Sequence, residues 1–359
     1  MYFSNVNTLI EYISSHKPQP HEELIIFVGE ASASETPQLI NELTYLNVSF
    51  MGAIFPRLLI KEHAYTEGFL LKQYPILYKS VVLPYLMSFK LAPETYKDCT
   101  ALILADGLSS EYQTLINTVY NKLGPNVNYI GGGSGYYDMV HRPCLFTEKG
   151  FLQDALLICL IPMSCQHTVS HGWNILEGPY HITESTNNVL STLDHYNAFE
   201  VYSDAIEAHE GIRLYQSDFF LHAVDHPFGI IPPQTNELIV RDPISVNEQG
   251  DITCIADIPK DSSLYILHGD MDSLLLSSLN IATQCSLNLS TDTYEPLLFD
   301  CISRAMFMDD QFTRELYNIQ SNLDCPITGC LCIGEITSQS NGEPIIHNKS
   351  TVLCLLQQA

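Results

Sequence analysis

The chain has 359 residues, which is long enough for two domains of ordinary size. Its 41 acidic and 16 basic side chains give a formal net charge of −25. Nucleic acids and anionic membrane surfaces are bound by clustered lysine and arginine, so this balance argues against both as partners. Hydrophobic residues make up 46% of the chain, a share that predicts a compact folded protein rather than a disordered one.

The amino-terminal stretch lacks the basic and apolar regions of a secretory signal. The apolar run DALLICLIPM at 154–163 is too short to cross a membrane. Eleven cysteines are scattered along the chain, an odd number that favours free thiols in a reducing compartment. We therefore expect a cytoplasmic protein with no membrane insertion.

The first half alternates buried strands with amphipathic helices, a pattern that predicts crossovers onto a mixed sheet. It predicts a helix within 1–22, strands at 23–30 and 48–55 around a helix at 34–47, an extended segment at 79–87, a strand at 100–108, a helix at 109–124 and a hairpin turning at Lys149-Gly150.

The second half alternates in the same way after a long extended segment. It predicts a helix at 197–210, extended chain at 219–259, a helix at 270–288, a strand at 297–302, a helix at 309–323, and strands at 329–336 and 351–356. The fold class expected is α/β, layered as in α+β proteins, with two domains that each have a mixed β-sheet core flanked by helices. The predicted division is an N-terminal helix at 1–22, one domain at 23–195 and a second at 196–359.

Three motifs favour packing over chemistry. The glycine-rich IGGGSG at 130–135 is not followed by the residues or the helix of a phosphate loop, so we expect a tight bend or a close backbone approach. The spacing of Cys325, Cys330 and Cys332 differs from that of a zinc ribbon, and the last two are expected on one buried strand face. Cys301 lies in an apolar strand with no recognisable partner, which leaves a hydrolase or transferase as a weak alternative.

Polar side chains placed between apolar runs are costly unless something pairs with them, so they mark the expected ligand site. Arg241 and Arg304 carry guanidinium groups suited to a carboxylate, although Arg304 could instead pair with Asp300. The site is predicted to have one wall near the carboxyl terminus and another wall more than fifty residues upstream. The predicted ligand-binding residues are Arg304, Glu335, His347 and Asn348 on the first wall, and His226, Phe228, Arg241 and Asp242 on the second.

Several of these segments, taken in order, resemble the FIST sensory proteins, in which an N-terminal and a C-terminal FIST domain occur in tandem. The resemblance rests on GGGSG at 131–135, the hairpin after Pro143, SHGWNILEG at 170–178, and then HPFGI, VRDP, DCISR, GEI and HN in the second half. It covers the chain from about residue 23 onward.

This resemblance implies a ligand-binding sensor without chemistry of its own. A stand-alone subgroup of the family binds haem, senses nitric oxide and controls a histidine kinase. A kinase or cyclic-di-GMP enzyme segment is not recognisable here, so a histidine kinase or cyclic-di-GMP enzyme is expected as a partner in trans, with a homodimer as an allowed assembly. Haem b would be held non-covalently, with His226 as the axial ligand or His171 or His347 in its place. The alternative ligand is an amino acid or a similar small carboxylate bound by Arg241 and Arg304.

Overall fold

The computed structural model describes residues 1–84, 96–233, 238–287 and 293–357. Strands take up 42% of the residues and helices 28%, so sheets form the cores and helices cover them. This arrangement confirms the predicted layered α/β class. None of the helices in the described ranges is long and apolar enough to cross a bilayer.

The strands are, in chain order, β1 (Tyr2–Phe3), β2 (Glu22–Gly29), β3 (Phe50–Phe55), β4 (Leu58–Ile60), β5 (His63–Tyr65), β6 (Phe69–Pro75), β7 (Tyr78–Val82), β8 (Cys99–Asp106), β9 (Val127–Ser134), β10 (Leu145–Thr147), β11 (Gly150–Leu152), β12 (Leu156–Ile161), β13 (Ser164–Ser170), β14 (Asn174–Thr186), β15 (Val189–Leu193), β16 (Tyr196–Asn197), β17 (Phe228–Ile231), β18 (Ile239–Val246), β19 (Ile252–Ile255), β20 (Ser263–His268), β21 (Tyr294–Cys301), β22 (Thr328–Cys332), β23 (Glu335–Ser338), β24 (Pro344–His347) and β25 (Thr351–Gln357). The α-helices are α1 (Val6–Ser15), α2 (Thr36–Tyr45), α3 (Tyr112–Leu123), α4 (Ala198–Glu210), α5 (Phe219–Ala223), α6 (Met271–Ser286), α7 (Ile302–Met308) and α8 (Phe312–Gln320).

Helix ends follow the capping residues of the sequence. The Asn197 side chain accepts hydrogen bonds from two backbone N–H groups at the start of α4, and Asp270 does the same for one N–H group of α6. Gly124 closes α3 with a positive φ of 72°, a conformation that glycine adopts without strain. These ends agree with the predicted helices, except that residue 288 lies outside the described ranges.

Three sheets contain the same four-stranded unit. In each unit two neighbouring strands are parallel and are joined by a helical crossover, and an antiparallel strand lies on either side. The strand orders of the units are β6-β2-β3-β10, β12-β8-β9-β23 and β25-β21-β22-β4. The parallel pairing of β2 with β3 agrees with the crossover predicted for this part of the chain.

The three units face one common apolar core. Strands β2 and β3, β8 and β12, and β21 and β25 each contribute residues to it. The outer face of the β21 unit is covered by α6 and α8, and the outer face of the β8 unit by α3. Strands covered on both faces are apolar throughout, which explains the unbroken hydrophobic runs in the sequence.

Two hairpins pair with strands from the other half of the chain. The early hairpin β4–β5 pairs with β22, placing Leu59 opposite Gly329. The late hairpin β23–β24 pairs with β9, placing Glu335 opposite Gly132. The division at residue 195 stays a prediction, although strands from both sides of it share three of the four sheets.

A fourth sheet lies in the middle of the chain and has its own core. Its strand order is β14-β20-β17-β18-β19-β15-β16, and α4 and α5 supply further residues to this core. Strand β18 also carries Arg241 and Asp242 toward the β23–β24 hairpin. The fourth sheet therefore supplies one side of the polar interior described below.

The structure differs from the sequence predictions in four details. The segment predicted as extended from 219 begins with the helix α5, and its residues 234–237 lie outside the described ranges. The strand predicted at 329–336 is two strands in different sheets, because Gly334 has a φ of 87° and turns the chain. Helix α7 follows β21 directly and was not predicted. The extended segment predicted at 79–87 is strand only to Val82, and residues 85–87 lie outside the described ranges.

The glycine-rich segment is part of strand β9, and close packing explains its composition. A Cβ atom on Gly133 would lie 2.1 Å from the Ile333 carbonyl oxygen, and one on Gly131 would lie 1.9 Å from that of Ile103. The Gly133 N–H donates to the Gly334 carbonyl, and the Gly133 carbonyl accepts from the Ile333 N–H. The close approach predicted for this segment is confirmed, and these amide groups are not free to hold phosphate.

Replacement of Gly133 tests its contact with Ile333, which joins the two halves of the chain. We expect Gly133→Ala to lower the free energy of unfolding by about 3 kcal/mol, because backbone cannot move aside for a Cβ atom. Gly229→Ala is the control, since its Cβ would meet only leucine methyl groups at 3.0 Å. Urea unfolding measures both variants, and equal losses would contradict the explanation.

Candidate functional site

The fully buried side chain of Arg304 lies at the start of α7, just beyond the carboxyl end of β21. Its Nε and Nη2 atoms donate to both carboxylate oxygens of Glu315 at 2.7–3.1 Å. It also donates to the carbonyl oxygens of His171 and Leu274 and to the Ser277 hydroxyl. The alternative pairing of Arg304 with Asp300 is therefore replaced by one with Glu315. With its donors occupied in this way, Arg304 holds the interior together and does not offer a fork to a ligand carboxylate.

Asp300 lies beside this pair and is also fully buried. The Thr351 hydroxyl lies 3.1 Å from Asp300 Oδ1 and 2.7 Å from Glu315 Oε1. Burial raises the pKa of Asp300 well above its usual value, and the neighbouring Glu315 charge raises it further. The Thr351 hydroxyl has one proton, which it donates to Glu315. A protonated Asp300 then donates its own proton to the Thr351 oxygen.

A second buried ion pair joins the fourth sheet to the last turn before β25. Lys349 Nζ lies 3.1 Å from Asp242 Oδ1 and donates to the Val224 carbonyl at 2.7 Å. The indole N–H of Trp173 donates to the Lys349 carbonyl at 2.7 Å. Ser303 donates to the other carboxylate oxygen of Asp242. Asp242 is thus fixed beside the helix that carries Arg304.

Glu335, the first residue of β23, is a carboxylate of this interior whose oxygens are not hydrogen-bonded to the described residues. It is fully buried. Burial raises its pKa well above the usual value, and Cys332, Asp300 and Asp242 add to the shift. The Ser350 N–H lies close enough to oppose the shift in part, although its geometry falls short of a hydrogen bond. Glu335 is therefore held as a neutral acid.

Orphan acceptors occur together in this region. Asp300 Oδ2 and Asn348 Oδ1 are buried without a partner within the described ranges, as are both oxygens of Glu335. We call these residues, Asp300, Glu335 and Asn348, the acceptor cluster. Neutral Glu335 has one O–H donor and one carbonyl acceptor, while Asp300 Oδ2 and Asn348 Oδ1 are acceptors. Acceptors therefore outnumber donors, so the cluster suits a ligand that brings donors or positive charge.

His347 and Arg241 lie next to the acceptor cluster but are already engaged. His347 Nε2 is 2.8 Å from the Thr337 hydroxyl, and burial together with Arg241 lowers its pKa to about 3. Arg241 donates to the carbonyl oxygens of Asp257, Val240 and Ile346. Burial lowers the Arg241 pKa to about 10. The structure thus brings Arg241, Asp242, Arg304, Glu335, His347 and Asn348 into one connected interior.

His226 and Phe228 belong to a different environment. The ring of Phe228 packs on Tyr202 with centroids 5.3 Å apart, inside the core of the fourth sheet. His226 donates from Nε2 to Glu210 at 2.8 Å and from Nδ1 to Asp225 at 2.8 Å. Burial alone would lower the His226 pKa, but the two carboxylates outweigh it and raise the pKa to about 9. His226 is therefore an imidazolium.

Of the three histidines expected as haem ligands, His226 does not fit that role in this arrangement. An iron ligand needs a ring nitrogen with a free lone pair, which the doubly donating His226 lacks. His171 Nδ1 accepts the Trp173 N–H at 3.0 Å, and burial followed by the Arg304 charge lowers the His171 pKa to about 4. His347 Nε2 contacts the Thr337 hydroxyl, and a neutral ring that donates from Nε2 keeps its lone pair on Nδ1, so His347 stays a predicted alternative.

A cleft of about 280 Å³ opens between the loop after β8 and strands β18 and β19. Its polar lining includes Ser110, Gln113 and Asn188. At its base Ile255 packs with Ile302 and Ile333, which adjoin the interior network. Tyr112, also on the lining, donates to the carbonyl of Gly334, the residue before Glu335. Sequence analysis did not identify this cleft, because its walls come from segments more than a hundred residues apart.

Removing one member of the buried ion pair should destabilise the protein strongly. We expect Arg304→Met to lower the free energy of unfolding by about 3–5 kcal/mol, because Glu315 is left charged and unpaired. Adding Glu315→Leu should restore much of the loss. The control is Arg142→Met, which breaks an exposed pair with Asp138. A loss no larger than that of the control, measured by urea unfolding, would contradict the buried role.

The raised pKa of His226 predicts a loss of stability in alkali. The stabilisation is complete below the unfolded-state pKa of 6.5 and disappears as the pH rises through about 9. His226→Gln should therefore cost on the order of 2 kcal/mol at pH 6 and little at pH 10. Unfolding free energies of both proteins at the two pH values measure this, and a difference that does not change with pH would refute it.

Two family models match successive parts of the chain. The family model described as the FIST N domain matches residues 21–196, and the one described as the FIST C domain matches residues 198–338. A search of curated proteins finds no sequence that matches the chain. FIST domains are small-ligand sensor domains of signalling proteins rather than catalytic domains. The chain belongs to the FIST family and carries its N and C domains in tandem.

Proposed function

We propose that this chain is a sensor for a small ligand with an amino or ammonium group, of the amino acid class, which binds at the acceptor cluster. The observation that carries the proposal is the set of orphan oxygens on Glu335, Asp300 and Asn348. Arg241 and Arg304 have donors committed to protein groups, so the amino group rather than the carboxylate is the recognised feature. The carboxylate of an amino acid would face the hydroxyl and amide groups of the cleft.

Binding at this position requires the protein to open. Glu335 and Asp300 have no exposed surface, and Ile255, Ile302 and Ile333 lie between the cleft and the interior network. A ligand that reaches the cluster must displace this apolar plug. A conformational change that depends on the ligand is what a sensor needs, because only differential binding to two states shifts their populations.

The signal would pass to a separate protein. A histidine kinase or a cyclic-di-GMP enzyme acting in trans is the proposed partner, on the basis that FIST domains belong to signalling proteins. Cytoplasmic location and a homodimer stay predictions. Haem-dependent nitric oxide sensing also stays a prediction, and the two engaged ring nitrogens of His226 speak against that residue as the axial ligand.

Replacement of Glu335 separates stability from sensing. A folded-state pKa above the unfolded value of 4.5 means that Glu335 costs stability at neutral pH and little near pH 4. We therefore expect Glu335→Gln to raise the unfolding free energy at pH 7 by about 1 kcal/mol and to abolish the thermal shift caused by the ligand. Glu343→Gln, at an exposed position between β23 and β24, is the control.

The ligand itself is identified by paired compounds. Amino acids and their deaminated carboxylic acids are screened by thermal shift, and only the amino compounds should stabilise the protein. Binding of an ammonium group to neutral Glu335 ionises the acid, so calorimetry in two buffers should detect proton release. Stabilisation by the deaminated acids, or an unaltered response in Glu335→Gln, would contradict the proposal. A Soret band that moves with nitric oxide after haem reconstitution would favour the haem prediction instead.

A further inference from the structure

Three potential metal ligands meet at the carboxyl end of β8, away from the acceptor cluster. They are Asp106 at the end of β8, His141 in the loop between β9 and β10, and Asp154 in the turn before β12. His141 Nε2 lies 2.9 Å from Asp106 Oδ2 and 3.6 Å from Asp154 Oδ1. One ligand atom from each residue falls within 4.8 Å of the other two.

Neighbouring groups orient both carboxylates. Asp106 is buried, and its oxygens accept the N–H groups of Leu108 at 3.3 Å and Asp154 at 2.8 Å. The Ser109 hydroxyl donates to Asp154 Oδ1 at 2.8 Å. Outer donors of this kind hold metal-binding carboxylates in position and reduce the cost of assembling a site.

The three ligand atoms are spaced closely enough to surround a metal ion. Bonds of about 2.0–2.1 Å from zinc to nitrogen or oxygen place tetrahedral ligand atoms roughly 3.3 Å apart. The distances from His141 Nε2 to the two carboxylate oxygens, 2.9 and 3.6 Å, lie on either side of that value. The single N–H on His141 Nε2 can point at one carboxylate only. An ion placed between the three atoms would satisfy all of them.

The nearby thiol of Cys144 stays outside the set. Its sulfur lies 3.2 Å from the Ser134 hydroxyl, and Cys144 is not one of the three residues whose ligand atoms fall within 4.8 Å of one another. The site therefore offers one nitrogen and two oxygens, a set that suits a divalent first-row transition metal better than the all-oxygen preference of Mg²⁺.

We propose that Asp106, His141 and Asp154 bind a divalent transition metal ion of the zinc class, with one coordination position left open. The loop that follows Asp106 lines the cleft, since Gly107, Leu108 and Ser109 are among its residues. A bound ion would hold this loop in place at the edge of the cleft, because Ser109 donates a hydrogen bond to Asp154. The metal site shares no residue with the acceptor cluster, so it stands or falls independently of the amine proposal.

Metal titration of the chelator-treated full chain tests the site. Zn²⁺ affinity is measured by competition with a chromophoric chelator, and Co²⁺ binding by its visible absorption. The wild-type protein should bind one tight equivalent that a large excess of Mg²⁺ does not displace. His141→Gln and Asp154→Asn should each weaken Zn²⁺ binding at least about 10-fold and remove the Co²⁺ band. Asparagine suits the positive φ of 50° at Asp154, so that variant keeps the backbone.

The matched control is His209→Gln. His209 lies 2.8 Å from Glu177, so it repeats the imidazole–carboxylate contact with a single carboxylate. This variant should bind Zn²⁺ as the wild-type protein does. Absence of a tight equivalent in the wild-type protein, or equal affinities of His141→Gln and wild type, would overturn the proposal. A loss in His209→Gln as large as that in His141→Gln would do so as well.

Discussion

The buried guanidinium of Arg304 is the contact on which the arrangement of the interior depends. It joins α8 through Glu315, α6 through the Leu274 carbonyl and the segment before β14 through the His171 carbonyl. A buried charge that has no contact with water needs hydrogen-bond and charge partners from the protein. The native positions of these three elements therefore depend on one another. Thr351 extends the constraint to Asp300. The acceptor cluster is thus left unsatisfied beside a network whose other members are closely paired, and this contrast is the basis on which we propose it as a binding site.

Sequence reasoning located most strands and helices because buried strands are apolar runs and the helices have recognisable caps, as at Asn197 and Asp270. It could not find partners that tertiary packing chooses. Arg304 pairs with Glu315, eleven residues ahead, although Asp300 is only four residues away. His226 looked like a ligand in sequence, but Glu210 and Asp225 occupy its ring nitrogens. Arg304, Glu335 and Asn348 come from different elements, since Arg304 lies on α7 after β21 whereas Glu335 begins β23 and Asn348 follows β24 in another sheet.

The repeated unit relates the two candidate sites. Asp106 ends the first parallel strand of one unit, and Asp300 lies at the corresponding end of another. Binding sites in α/β proteins gather at the carboxyl ends of parallel strands, where side chains leave the sheet and meet the loops. The two carboxylates occupy the same position in the unit but differ in their access to solvent. Asp106 is reached from solvent through His141 and Asp154, whereas Asp300 is closed off with a raised pKa.

The two exchanged hairpins bear on how such a protein can change over evolutionary time. Hairpin β4–β5 completes the sheet of β22, and hairpin β23–β24 completes the sheet of β9. A gene rearrangement that replaced only one of the FIST segments would leave bare strand edges in two sheets, and such edges invite aggregation. The N and C segments are therefore expected to be inherited as a pair. New specificities would arise through substitutions at the cleft and the acceptor cluster, not through the shuffling of halves.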